Sequence, residues 1–335
     1  MVTVYLTGDH DDAVVRGSAS DEVIFLGYKS KQVRGLKLGA IKQIKSIVNS
    51  KQFLFCIAHR AKPTYVALLA THLPVVSVRH NYGDFGRYSR RLMVNLFRKR
   101  LLLLGVSDSV RDEIRAHLPD WPVHQIETLY NRIDVDATTS ALVSKNEARK
   151  YLDLPPDAWV IANVGRLHHD KDQATLLRGF KQAQPSLPAN SLLVVMGQGP
   201  LEASLKQLAQ DLGIASSVIF TGNVPNAKRY FKAFDVFALT SDHEPFGMVL
   251  LEAMAAGLPI ICSDCGGGRE VVRDTGRLFP FGDVQALALA LVEAYENKNN
   301  VDQLAILAAL EQSFSDDAVR KKFFELSFIK RFLSN

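Results

Sequence analysis

The chain has 335 residues, 47% hydrophobic and 22% charged, which is globular composition with length enough for two domains of ordinary size. No apolar run approaches the roughly 20 residues that span a bilayer, and the opening MVTVYLTGDHDD has neither the basic start nor the long apolar stretch of a signal peptide. The net charge of +5 is uneven: residues 1–135 carry 20 Lys and Arg against 12 Asp and Glu, and residues 136–335 carry 20 against 23, so the first part favours an anionic partner unless its cations serve only solubility.

In the first part the strand candidates, in chain order, are VTVYL, EVIFLG, FLFCIA, PVVSV, LLLLGV and IETLY. Helical patterns lie between most of them, such as GLKLGAIKQIKSIVNS and SDSVRDEIRAHL, the latter capped by Ser107 or Asp108. The first two strands follow each other without a convincing helix or a Gly-Gly loop, so this unit is expected to start short. GRYSRRLMVNLFRKRLLLLG is basic, and on a helix its Leu92, Met93, Leu96 and Phe97 share one face, which suits a core or an anionic membrane surface. The polar stretch 131–159, with prolines at 155 and 156, breaks the alternation and reads as a linker. Strands then restart with WVIANVG, SLLVVMG, SVIFTG, DVFALT, LPIICS and GRLFP.

Strand–helix alternation predicts an α/β protein with two doubly wound parallel-sheet domains. The expected limits are 1–135 and 136–315, with a C-terminal helix over 316–335 packing back toward the first domain. Ligands of such sheets sit beyond the carboxyl ends of the strands, and the cleft between two such domains is the default site.

The helix in EPFGMVLLEAMAAGLP is apolar nearly all round, which marks it as buried, yet it carries Glu252. An unpaired carboxylate there costs several kcal/mol, so a partner is required: a structural arginine, or a ligand rich in hydroxyls. Glu244 precedes the helix by enough that the pair should exceed the roughly 5–9.5 Å of glycosidase carboxylates. The amides of Phe246, Gly247 and Met248 lie at the helix N-terminus, which attracts phosphate. A sugar, a phosphate bridge and a second sugar would match this order. In NVGRLHHDKD, Gly165 ends a strand, and Arg166 and Lys171 follow as cations suited to a diphosphate.

Other stretches carry less. MGQGPLEA lacks the third glycine of a dinucleotide fingerprint. CGGGREVV reads as a glycine turn for tight packing. Cys262 and Cys265 form C-S-D-C, a redox pair or half a zinc site on spacing alone, but no second pair exists and Cys56 stands apart, so small buried residues are the preferred reading. Three cysteines suit a reducing, cytoplasmic compartment. His168 and His169 lack matching carboxylates, and no metal site is expected.

With VGRLHHDKD, LLVVMGQGP, VIFTGNVPN, FDVFALTS, EPFGMVLLE, AMAAGLPII and GRLFPFGD in view, the second part resembles the retaining family 4 glycosyltransferases, also called glycosyl transferases group 1, of GT-B fold. The resemblance implies that Arg166 and Lys171 hold a donor diphosphate, Glu244 the transferred sugar and Glu252 the ribose. It places the amides of Phe246, Gly247 and Met248 at the sugar and phosphate, and Gly222, Asn223 and Val224 near the base. More loosely, PVVSVRHNYGD places His80 where the family often has a histidine near the developing charge; His59 is a weaker candidate. Arg132 stands where glycine is usual.

The resulting expectation is a metal-independent, retaining transferase with no cofactor beyond its nucleotide-diphosphate sugar. Its acceptor would be a glycan or lipid-linked molecule of bacterial cell-surface polysaccharide or lipopolysaccharide synthesis. No nucleic-acid partner is expected, and the inner face of the cytoplasmic membrane is the expected place of any peripheral binding. A non-catalytic glycan-binding scaffold and a nucleotide-sugar epimerase are the alternatives.

Overall fold

The computed structural model describes residues 1–333, so the last two residues of the expected C-terminal segment lie outside the described residues. The strands are β1 (Val2–Thr7), β2 (Glu22–Tyr28), β3 (Cys56–His59), β4 (Val75–Arg79), β5 (Leu101–Gly105), β6 (Ile126–Thr128), β7 (Val160–Val164), β8 (Leu192–Met196), β9 (Val218–Gly222), β10 (Val236–Leu239), β11 (Ile260–Ser263) and β12 (Arg277–Phe279). The helices are α1 (Asp12–Gly17), α2 (Leu38–Ser50), α3 (Ala61–Ala70), α4 (Tyr88–Leu96), α5 (Asp108–His117), α6 (Val135–Ala141), α7 (Lys145–Tyr151), α8 (Gln173–Ala183), α9 (Glu202–Asp211), α10 (Met248–Ala255), α11 (Gly268–Val272), α12 (Val284–Glu296), α13 (Gln303–Phe314), α14 (Asp316–Glu325) and α15 (Ser327–Leu333). Two units result. Among the described residues, one holds Met1–Gly105, Val110–Thr128 and Glu325 to Leu333; the other holds Val106–Ser109 and Leu129–Phe324.

The first unit contains a parallel sheet in the order β3-β4-β5-β6. Leu101 to Leu104 are all fully buried, as expected of a central parallel strand covered on both faces. β1 and β2 do not join this sheet. They form a separate parallel pair, with Val2 opposite Glu22. A parallel pair needs a crossover, and the chain supplies one that the sequence pattern did not reveal. This is α1, six residues long, capped by Asp11, whose carboxylate accepts from the N–H of Ala13 at 2.8 Å. Six residues are too few to display a helical period.

The second unit is built on a six-stranded parallel sheet in the order β12-β11-β10-β7-β8-β9. The order reverses between β7 and β10, which are neighbours, and the crevice at their carboxyl ends is where doubly wound sheets take ligands. Its core brings Leu176, Leu177 and Phe180 of α8 against Leu287 and Leu291 of α12. Gly179 permits that approach, since a Cβ there would meet Leu287 at 2.8 Å.

The stretch 131–159 is folded rather than a bare linker. Asp134 caps α6, and Ser144 with Glu147 forms a capping box on α7. Arg149, 2% exposed, donates to the carbonyls of Ala233 and Ala158 and to Asp235 at 2.8 Å. The polar composition hid this because the segment is fixed by a satisfied buried cation and not by an apolar face. The single helix expected near the C-terminus is two, α14 and α15, separated at the buried Leu326.

Candidate functional site

The residues singled out in the second unit come from loops that leave adjacent strands. After β7, the Gly165 N–H donates to the Met196 carbonyl at 2.9 Å, and the Leu167 N–H donates to that of Gln198 at 3.0 Å. The loop after β8 lies so close that a Cβ on Gly197 would fall 1.9 Å from the Gly165 oxygen, and one on Gly199 2.2 Å from that of Leu167. Gly197, at φ +140°, also donates to Gly222 at the end of β9 at 2.8 Å. The Gly-x-Gly turn in MGQGPLEA therefore brings three loop backbones together. Asn223 is exposed and Val224 half-buried just beyond. A depression of about 710 Å³, lined in part by Ser144, Asn226, Lys228 and Arg229, opens on this side of the unit.

Lys171 closes a short turn, His169–Lys171, before α8. Its ammonium lies 2.6 Å from Oε2 of Glu244 and 3.6 Å from Asp170. The loop after β10 is tied to the same turn. The Thr240 hydroxyl reaches the carbonyls of Lys171 at 2.9 Å and Asp172 at 3.0 Å, and the Asp242 N–H donates to that of Asp170 at 3.1 Å. Ser241 adds a hydroxyl 3.3 Å from Glu244 Oε2. Arg166 differs: its side chain is 72% exposed, with Asp170 at 3.7 Å. Gln173 supports the loop from within, donating to the Arg166 carbonyl at 3.0 Å.

Glu244 and the start of α10 are fixed from behind by α11. The Gly267 N–H donates to the Glu244 carbonyl at 2.7 Å, and a Cβ on Gly267 would sit 2.3 Å from the Pro245 oxygen. CGGGREVV is thus a packing turn. Gly247 takes φ +93° as the cap of α10, a region that favours glycine. Phe246 turns inward, 2% exposed, against Tyr130 and Phe314, so only its backbone is free to serve a ligand. Met248 is 41% exposed, and the amides that open α10 have no helical acceptor.

Glu252 is half-buried in α10, and among the described residues it makes no ion pair; the structural arginine weighed from sequence is not there. Burial pushes its carboxyl up, and Lys228 opposes this only in part. Glu270 of α11, which no motif flagged, accepts from the N–H groups of Asp108 at 2.7 Å and Ser109 at 2.8 Å. Burial raises its carboxyl despite these bonds, and Tyr130 beside it is raised too, first by burial and then by Glu270. Thr240, Ser241, Asp170 and Gln173 were also missed. Thr240 and Ser241 signalled only as polar side chains just after a strand, Asp170 lay unassigned inside NVGRLHHDKD, and Gln173 opens α8.

The three cysteines are free thiols; Cys265 donates to the Ser241 carbonyl at 2.8 Å, and Cys262 is buried. Among the described residues, no group of three or more His, Cys, Asp or Glu is placed to hold a metal ion, and no helix is long and apolar enough to cross a membrane.

His80 belongs to the first unit, directly after β4, where it meets His59. On α4 the face expected at Leu92, Met93, Leu96 and Phe97 divides. Met93 and Phe97 are half-buried beside the buried Val94, whereas Leu92 and Leu96 stand exposed with Tyr88.

The switch point of this parallel sheet thus carries the Lys171–Glu244 pair, the exposed Arg166 and the helix that holds Glu252. Residues 144–309 match the family described as Glycosyl transferases group 1, and this part of the chain belongs to it. The chain is 32% identical over 183 residues to the lipopolysaccharide core biosynthesis glycosyltransferase LpsD of Rhizobium meliloti, a match covering 53% of this chain and 52% of that one. It is 27% identical over 276 residues to a Campylobacter jejuni enzyme named N-acetylgalactosamine-N,N'-diacetylbacillosaminyl-diphospho-undecaprenol 4-alpha-N-acetylgalactosaminyltransferase, covering 78% and 67%. Among solved structures, HepE of Anabaena in complex with UDP and glucose superposes with a TM-score of 0.76 at 19% identity, covering 97% of this chain and 90% of that one. The fold is that of the GT-B glycosyltransferases. The chain spans about half the length of the curated relatives that it matches at 30% identity or more.

Proposed function

We propose that the protein is a retaining, metal-independent glycosyltransferase that moves a sugar from a nucleotide-diphosphate sugar to a glycan or lipid-linked acceptor, in bacterial cell-surface polysaccharide or lipopolysaccharide synthesis. One observation carries most of this reading. The switch point of the second sheet presents Lys171 on Glu244, an exposed Arg166 and the start of α10, with Glu252 making no ion pair among the described residues.

Arg166 and Lys171 are assigned to the donor diphosphate, with the amides at Phe246, Gly247 and Met248 beside it. A diphosphate arriving there competes with Glu244 for the Lys171 ammonium, which frees that carboxylate for hydroxyls of the transferred sugar. Glu252 takes the ribose diol, since a carboxylate accepts two hydrogen bonds. Gly165, Gly222, Asn223 and Val224 border the nucleotide. His80 is assigned, on the family resemblance, to the charge developing on the sugar. In the transfer, the acceptor oxygen bonds to the anomeric carbon on the face that the phosphate oxygen leaves. The acceptor proton goes to that departing oxygen, so charge balances. Two fixed cations and a helix N-terminus stabilise the leaving diphosphate, the kind of preorganised charge that lowers such barriers.

The names of LpsD and of the Campylobacter enzyme support a lipid-attached acceptor, and the exposed Tyr88, Leu92 and Leu96 on basic α4 support peripheral binding at the inner face of the cytoplasmic membrane. The test is a thermal-shift screen of nucleotide sugars, followed by incubation of the hit with acceptors, with and without EDTA. Free nucleotide plus an α-linked product from an α-linked donor, unaffected by EDTA, is the expected result. An altered sugar with no acceptor consumed would mean an epimerase, and binding without turnover a scaffold.

A further inference from the structure

Two imidazoles meet at the carboxyl end of the first unit's four-stranded sheet. His59 is the last residue of β3, and His80 is the first after β4. The register sets His59 opposite Val78, and the Arg60 N–H donates to the Val78 carbonyl at 2.9 Å, so the strand ends are tied before their loops diverge. Nδ1 of His59 lies 2.9 Å from Nε2 of His80, with ring centroids 5.2 Å apart and planes 23° from parallel. Two ring nitrogens at this distance bond only if a single proton lies between them, one ring donating and the other accepting. Two imidazolium rings would set N–H against N–H.

We propose that His59 is the positioning residue of His80, engaging Nε2 so that Nδ1 is the open ring nitrogen of His80, and holding that imidazole neutral with one tautomer. The inference builds on the assignment of His80 to the transfer site. The partner fixes the chemistry: if His59 donates, the open Nδ1 of His80 offers a proton, and if His59 accepts, it offers a lone pair. The charged neighbours favour neutrality. His59 and Arg60 face His80 from the end of β3 and Arg79 from β4. Asp84, an opposing carboxylate, is already held by Arg79 at 3.1 Å and Arg90 at 2.9 Å. Burial first, then these cations, bring His80 from 6.5 down to about 4. His59, though exposed at the end of β3, is lowered in the same direction, first by desolvation and then by Arg60.

The test is NMR of the full chain with ¹⁵N-labelled histidine, reading the protonation of each ring nitrogen against pH in the parent, His59→Ala and His59→Asn. In the parent, His80 should hold one tautomer and remain neutral at pH 5. In His59→Ala its Nε2 loses its partner, so the tautomers should mix and the midpoint should rise by about one pH unit or more toward the free value near 6.5. His59→Asn puts an amide atom near the place of the lost Nδ1 and should restore the single tautomer. Turnover should follow: kcat falls roughly ten- to a hundredfold in His59→Ala, as when an outer partner that orients a histidine is lost, the donor KM is unchanged, and His59→Asn recovers most of the rate. An unchanged tautomer and midpoint in His59→Ala would overturn the positioning role. An altered tautomer with unaltered turnover would instead remove His80 from the transfer site and leave the pairing standing.

Discussion

Lys171 and Glu244 are 73 residues apart in sequence, yet their side chains meet at 2.6 Å, 14% and 11% exposed. The two loops that carry them leave neighbouring strands at the switch point of the sheet, and Thr240 ties those loops together. Losing the Lys171 charge removes the cation 2.6 Å from the nearly buried Glu244 carboxylate. Lys171→Ala should therefore destabilise the second unit by about 3 kcal/mol, the lower end for broken buried pairs. Adding Glu244→Gln should recover most of that loss. Denaturant titration of the two single variants and the double variant measures the coupling; additive losses would mean the pair contributes nothing.

Arg166 separates binding from stability. It is largely exposed, so Arg166→Ala should change the unfolding free energy by no more than about 0.5 kcal/mol. Its loss should still remove about 2–4 kcal/mol of transition-state stabilisation, the cost of deleting one preorganised donor. The two numbers come from a melt and from kcat/KM, and near-normal kcat/KM would end the diphosphate assignment.

Glu252 should show the opposite sign in the two measurements. Its carboxyl is raised above 4.5 by burial, so its contribution to stability is full below pH 4.5 and is lost as pH rises through the folded-state value. Glu252→Gln should then be more stable than the parent at neutral pH, with the difference closing near pH 4. The same change removes a ribose acceptor and should raise the donor KM with little effect on kcat. Melting curves from pH 4 to 8 test the first statement and initial rates the second.

Two glycines in this region should respond differently to alanine. A Cβ on Gly165 meets nothing within 4 Å, whereas one on Gly267 strikes the Pro245 carbonyl and the Phe246 Cα. Gly165→Ala should melt like the parent and lose donor affinity. Gly267→Ala should lose both, with a stability cost of about 1–3 kcal/mol for forcing backbone apart. Equal melting temperatures for the two variants would show that the loop beneath Gly267 yields.

Tyr88, Leu92 and Leu96 follow one another at helical spacing on α4 and are 70%, 57% and 75% exposed. Arg87, Arg98 and Lys99 lie exposed at its ends. The protein should sediment with anionic vesicles and not with neutral ones, and should be released by 1 M salt, where the screening length is about 3 Å. Leu92→Glu with Leu96→Glu should abolish sedimentation while leaving transfer to a soluble acceptor intact. Equal binding to both kinds of vesicle would sink the electrostatic account.

Every strand expected from the sequence is present, because continuous apolar runs such as LLLLG have no other use in a sheet covered on both faces. Glu252 was legible for a related reason, since a charge inside an apolar helix is costly without a purpose; Arg166, Lys171 and Glu244 stood out only through the motifs NVGRLHHDKD and EPFGMVLLE. The pairing of Lys171 with Glu244 was not legible, since it depends on β7 and β10 being neighbours, and strand order is not written in any local pattern. Nor was Thr240, whose hydroxyl is unremarkable until the carbonyls of Lys171 and Asp172 come within reach. The short α1 and the folded stretch around Arg149 escaped for want of a period and of an apolar face.

Arg149 also limits how this chain can be dissected. Asp235, at the start of β10, accepts from Arg149, from Lys145 and from the N–H of Val160, so the first strand of the six-stranded sheet is anchored through residues that precede it. Farther upstream, Ile133 bridges to Ser315, and its N–H donates to the Phe314 carbonyl at 2.9 Å. A fragment cut at Trp159, where the strand pattern restarts, would strip Asp235 of both cations and leave the Ala233 carbonyl without its Arg149 donor. A boundary near Leu129, about thirty residues before β7, keeps Ile133, Lys145 and Arg149 with the second unit, yet it still severs Val106–Ser109, whose Asp108 and Ser109 amides hold Glu270.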